Sequence, residues 1–110
     1  MKAHKAKRVE IIIETPMQSR LTDALVKAGV TGYTLLPVSG GAGRSGPWTR
    51  EGEVSRAGGM TMVLCIVRQE KLDTVLDTAF AIVEKHIGVV SVTDCDVPVS
   101  YTHLTLPTKA

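Results

Sequence analysis

Residues Ser39 to Gly58, SGGAGRSGPWTREGEVSRAG, concentrate the groups in this chain that could do chemistry. They hold six of its ten glycines, the arginines Arg44, Arg50 and Arg56, and the only tryptophan, Trp48. Successive glycines let backbone N–H groups turn inward into an anion-binding nest. A guanidinium adds a planar fork suited to phosphate oxygens. The GGAGR run is therefore a candidate phosphate cradle, although the same composition also suits a flexible, solvated segment. It is not a Walker motif, because no GK[ST] follows, and not a dinucleotide fingerprint, because a strand rather than a helix comes next. Trp48 and the two outer arginines suit docking to a partner.

The other reactive side chains carry less. Asp94 and Asp96 share one face of a strand, but no histidine or cysteine set accompanies them, so they read as an exposed polar face. No catalytic residue and no metal ligand set is assigned. Glu10 and Glu14 read as the polar or subunit-contact face of the first strand. Cys65 and Cys95 lie in apolar runs without ligand spacing and read as reduced core thiols of a cytoplasmic protein. His86 falls at a helix C-terminus, where it suits the helix dipole or a ligand contact. His4 lies in a basic arm, residues 1–6, expected to be flexible and solvated.

These groups sit on 110 residues, the size of one domain, with 44% hydrophobic, 22% charged and 4% aromatic residues. That is globular composition with an aliphatic core. A net charge of +2 does not mark a nucleic-acid binder. No apolar run approaches the roughly 20 residues that span a bilayer, and no secretory h-region follows the N-terminal charges.

The elements follow from periodicity. Lys7 to Glu14 is a β-branched strand. Thr15-Pro16-Met17-Gln18 resembles a capping box, opening a helix through Met17, Leu21, Leu25 and Ala28 that stops at Gly29. Gly32 to Val38 and Gly59 to Val67 are the next strands. Leu72, Val75, Leu76, Ala79, Phe80, Val83 and Ile87 trace one face of a second helix ended by Gly88, and Val89 to Val97 is the last strand. The order β-α-β-β-α-β predicts an α+β, ferredoxin-like sandwich over residues 7–98, a four-stranded antiparallel sheet with two helices on one face. A twenty-residue connection then separates strands that a hairpin would join in two to five.

The strand Gly59 to Val67 is apolar on both sides. Two helices cover only one, and exposing several Val or Ile side chains forfeits roughly 1.5–3 kcal/mol each. Self-association through the open face is the simplest answer, with a different partner as the alternative.

On AGVTGYT (Ala28 to Thr34), GGAGRSG (Gly40 to Gly46) and this element order, the chain resembles the PII-like branch of the PII signal-transduction proteins. These pair a strand ending in TGxT with a GxGR loop base, which Gly41-Ala42-Gly43-Arg44 matches after a one-residue insertion. The resemblance implies a homotrimer holding adenine nucleotides in clefts between subunits and reporting to a target through a long T-loop. It places Thr34 beneath the base or ribose, Gly41 and Gly43 near the phosphates through their backbone, Arg44 as the phosphate charge, and Gly88 in the glycine loop before the last strand. Trp48, Arg50 and Arg56 would then face the partner.

The departures narrow the ligand. Nitrogen-sensing members carry Gln after the loop-base arginine, helping hold magnesium and 2-oxoglutarate, where this chain has Ser45. The loop has no tyrosine to modify, and the lysine-containing glycine loop shrinks to His86-Ile87-Gly88-Val89. AMP, ADP or a cyclic nucleotide, with no metal required, is favoured over magnesium-ATP. Relatives of this kind often accompany bicarbonate or other anion transporters, so the resemblance implies that class of partner. A CutA-type trimeric metal-tolerance protein and a ferredoxin-like small-molecule module share the topology; the first lacks a ligand cluster and the second leaves the long loop unexplained. Residues 99–110 resemble translated adapter read-through and are expected to be non-native.

Overall fold

The computed structural model describes residues 2–43, 46–49 and 59–98. Its elements are β1 (His4–Glu14), a 3-10 turn (Thr15–Met17), α1 (Gln18–Lys27), β2 (Thr34–Val38), β3 (Gly40–Gly43), β4 (Gly46–Thr49), β5 (Met60–Val67), a second 3-10 turn (Gln69–Lys71), α2 (Leu72–Val83) and β6 (Gly88–Val97). The main sheet runs β2-β5-β1-β6 with every neighbouring pair antiparallel, and β3 and β4 form a separate hairpin. This is the ferredoxin-like α+β architecture that the sequence predicts.

Period-two alternation builds the core. Val9, Ile11 and Ile13 of β1 and Val63 and Cys65 of β5 are wholly buried, packed with Leu21 and Leu25 of α1 and Val75 and Ala79 of α2. All are aliphatic or small, as the scarcity of aromatics requires. Gly29 ends α1 with φ +104°, a left-handed value that only glycine adopts without strain.

Among the described residues no helix lies on the opposite sheet face. Directly opposed residues of neighbouring strands share a face, so the registers Leu36↔Met62, Met62↔Ile12 and Ile12↔Val89 lay one apolar row across all four strands. Within one chain Ile12 and Met62 are half-buried, while Leu36 is 39% and Val89 54% exposed. The second apolar face inferred from the sequence is real, and among the described residues its outer members Leu36 and Val89 stay exposed.

Four expectations change. The basic arm is not a loose tail from residue 4 onward: β1 begins at His4, where His4↔Val97 and Lys5↔Asp96 extend the ladder. Pairing Lys5 with Asp96 (3.3 Å) and Lys7 with Asp94 joins each lysine to the aspartate opposite it. The capping box does not form. The segment is a 3-10 turn without a side-chain cap, and the Thr15 hydroxyl instead meets the Thr61 hydroxyl at 2.9 Å. The second helix stops at Val83, leaving Ile87 outside it and 53% exposed, so Gly88 opens β6 rather than closing a helix, and Phe80, inside the helix, is 58% exposed rather than on its core face. The first half of the long connection holds the hairpin β3–β4, with Gly43↔Gly46 innermost and Gly46 at φ +104°.

Candidate functional site

Four of the predicted contacts, Thr34, Gly41, Gly43 and Gly88, have definite places. Thr34 heads β2, half-buried, opposite Leu64. Gly41 and Gly43 lie exposed in β3, paired with Trp48 and Gly46. Gly88 is the first residue of β6, opposite Ile13. Arg44, Arg50 and Arg56 lie outside the described residues, and for Trp48 only the backbone in β4 is described.

The registers decide which of these meet. Met60 pairs with both Val38 and Glu14, so β2 ends, β1 ends and β6 starts at the same end of the sheet. The chain leaves Val38 for Gly41 and Gly43 at that end, and Gly88 stands there too. Thr34 sits three rows further in than Gly88, in the row Thr34–Leu64–Glu10–Ser91, on the far edge from Gly88. With β5 and β1 between them, the two edges are three strand spacings apart, roughly 14 Å. One chain therefore does not bring Thr34 and Gly88 onto one small ligand.

At the Gly88 end the structure adds groups that the sequence reading did not connect. The Ile87 N–H donates to Glu14 Oε1 at 3.3 Å, and His86 Nδ1 lies 3.5 Å from the same oxygen. His86 thus faces a carboxylate at the end of β1, not the helix dipole alone. A Cβ on Gly88 would come within 2.6 Å of the Ile12 carbonyl, so glycine is what lets the turn press against β1. Nothing in one-dimensional spacing pairs residue 14 with residues 86 and 87; only the β1–β6 register does.

Two cavities among the described residues lie elsewhere, and neither contains a predicted contact. One of about 70 Å³ is lined by Val30, Thr31, Ile66, Val67, Arg68 and Lys71. The other, about 260 Å³, is lined by Lys5, Lys7, Gln69, Asp94, Cys95 and Asp96. Its cations are matched by its carboxylates, which leaves little attraction for an anion. The Lys7 hydrogen bond, and then the lysine charge, hold the Asp94 carboxyl below its usual value. Both cysteines are free. Burial pushes the Cys65 thiol up to about 11 and also raises Cys95, so both are protonated near neutrality and are poor nucleophiles. Among the described residues no three His, Cys, Asp or Glu side chains cluster to hold a metal, and no helix is long and apolar enough to cross a membrane.

A ferredoxin-like sandwich with an open apolar sheet face, a long Gly/Arg connection after β2 and a glycine turn before β6 agrees with the PII class of signalling proteins. The chain belongs to the nitrogen regulatory protein P-II family, whose profile matches residues 6–99. That membership decides between the topologically similar alternatives. A structure of CPII, a nitrogen regulatory PII-like protein from Thiomonas intermedia K12, bound to ADP, AMP and bicarbonate, is 31% identical at TM-score 0.80, with 89% of this chain and 92% of that chain covered. A second CPII structure, bound to ADP and bicarbonate, is 33% identical at TM-score 0.76, with 89% and 93% covered. The B. subtilis GlnK–ATP complex, at 19% identity and TM-score 0.61 over 86% of this chain and 85% of that one, shares the fold. Among curated proteins none matches the chain.

Proposed function

We propose that this chain is a trimeric, non-enzymatic regulator that binds an adenine nucleotide in clefts completed by two copies and signals through the segment after β2. The observation that carries this reading is the separation of Thr34 from Gly88 across a sheet whose open face bears the row Leu36–Met62–Ile12–Val89. A neighbouring copy that covers this row supplies its own Thr34 to the end where Gly41, Gly43 and Gly88 of the first copy stand. In that cleft Thr34 takes the base or ribose, the backbone of Gly41, Gly43 and Gly88 takes the phosphates, and Arg44 supplies the charge.

AMP, ADP or a cyclic nucleotide is the favoured ligand, without a metal, because Ser45 replaces the glutamine of nitrogen-sensing members and the stretch His86-Ile87-Gly88-Val89 has no lysine. The ADP, AMP and bicarbonate in the CPII structures support the same ligand class. Trp48, Arg50 and Arg56 face the partner, for which a bicarbonate or other anion transporter is the leading class, with the protein in the cytoplasm. The folding unit covers residues 7–98, lengthened at its start by the strand pairing from His4, and the reading of residues 99–110 as non-native falls outside the described residues.

A calorimetric panel of AMP, ADP, ATP, cyclic AMP and cyclic di-AMP, with and without bicarbonate or 2-oxoglutarate, tests the reading when run with light scattering on the full chain and on a chain ending at Ser100. The expected result is saturable binding of AMP or ADP to a species of about three times the 11.8 kDa chain, alike in both lengths. A monomer that binds no adenine nucleotide refutes it.

A further inference from the structure

Glu14 ends β1 and reaches across the β1–β6 register to the turn that precedes Gly88. There the Ile87 N–H donates to its Oε1 at 3.3 Å, and the His86 ring nitrogen Nδ1 lies 3.5 Å from that oxygen. A backbone N–H and an imidazole converging on one oxygen beside a glycine are what a phosphate oxygen would meet at such a turn. In this chain the oxygen is the protein's own. Both partners are only partly buried, with side-chain exposures of 23% for Glu14 and 29% for His86, so a ligand arriving from solvent competes with Glu14 for the same donor. Gly88 fixes the competition in place, because its missing Cβ is what allows the turn to lie against the Ile12 carbonyl.

We infer that Glu14 is a specificity-determining residue that occupies the phosphate-facing donor of this turn and so selects nucleotides with few phosphates. The inference rests on the reading of the Gly88 turn as part of the nucleotide cleft. Its physical content is separate from that reading. A fixed carboxylate a few ångströms from a terminal phosphate repels each added negative charge, and it withholds an N–H that a longer phosphate chain would use. AMP carries its charge close to the ribose and is least affected; ATP is affected most. Ser45 and the short turn reduce the attraction for a triphosphate, whereas Glu14 acts against it directly.

The test is Glu14→Gln, which keeps the size and an acceptor oxygen and removes the charge. AMP, ADP and ATP are titrated without magnesium into wild type and variant, with melting temperature and mass of the ligand-free proteins as controls. AMP affinity is expected to stay within about twofold while ATP affinity rises about tenfold, one full charge being removed near the terminal phosphate. An unchanged ATP-to-AMP ratio in a folded variant overturns the inference. A parallel arm follows the Ile87 amide by NMR during addition of pyrophosphate, and shifts at lower concentration in Glu14→Gln than in wild type are expected. If neither protein binds any adenine nucleotide, the cleft reading fails, and this arm then decides the role of Glu14 alone. Pyrophosphate that leaves Ile87 unmoved in both proteins overturns that role too.

Discussion

Thr34 and Gly88 stand on opposite edges of one four-stranded sheet, with β5 and β1 between them. The resemblance to PII proteins assigns both to one ligand, and the register of a single chain keeps them apart. The proposed association through the open apolar face would resolve the conflict by setting one copy's Thr34 beside the next copy's Gly88. Nucleotide binding and oligomerisation are then one property.

Arg44→Ala is expected to weaken adenine-nucleotide affinity by roughly ten- to a hundredfold, the range of a charge-assisted contact. Arg50→Ala and Arg56→Ala, farther along the connection, keep nucleotide affinity near wild type and lose partner binding. Isothermal titration on the three variants separates these roles. Wild-type affinity in Arg44→Ala would make the connection a docking element alone.

Two glycines assigned to the same site differ in what they do for the fold. Gly88→Ala drives a Cβ toward the Ile12 carbonyl, a backbone atom that cannot move aside cheaply. It is expected to cost about 1–3 kcal/mol, some 4–20 °C in melting temperature for a domain of this size. Gly43→Ala meets nothing within 4 Å and should change stability by less than about 0.5 kcal/mol. Thermal melts of the ligand-free variants check the contrast, and equal losses would contradict it.

Much of the architecture was legible in the sequence because it follows from period. The alternation in β1 and β5 and the stripe Leu21–Leu25 mark the core, and Gly29 marks the end of α1. The end of α2 was not legible: Ile87 continues the helical stripe of Val83, yet the chain leaves the helix after Val83 to reach the start of β6. The extension of β1 to His4 was hidden because Lys5 looks like part of a solvated tail until Asp96 is placed opposite it. The hairpin β3–β4 has no hydrophobic alternation to announce it. At the site, glycine and arginine types were visible, but the contact of Glu14 with Ile87 is purely tertiary, and so is the distance between Thr34 and Gly88.

The Lys7–Asp94 pair makes a titration prediction. The folded-state pKa of Asp94 lies below its ordinary value, first through the Lys7 hydrogen bond and then through the lysine charge. A depressed carboxyl stabilises the fold above the unfolded pKa, about 3.9, and that contribution is lost as pH falls through the folded value. Lys7→Ala should therefore raise the Asp94 pKa toward normal, read by NMR titration of its side chain. Because Asp94 is 82% exposed, stability near pH 7 should barely change. An Asp94 titration unaffected by Lys7→Ala would show that the pair does not persist in solution.

The most direct measurement is ADP titration into a protein whose sheet face can no longer associate. Ile12 and Met62 are directly opposed at the centre of that face, so Ile12→Glu combined with Met62→Lys leaves a cross-strand ion pair that suits one solvated sheet and opposes burial against a second copy. Light scattering should show a folded monomer of 11.8 kDa, and calorimetry should show ADP affinity reduced at least a hundredfold, about 2.7 kcal/mol, since Thr34 and Gly88 no longer meet. A folded monomer that binds ADP as tightly as wild type would place the site within one chain and contradict the account.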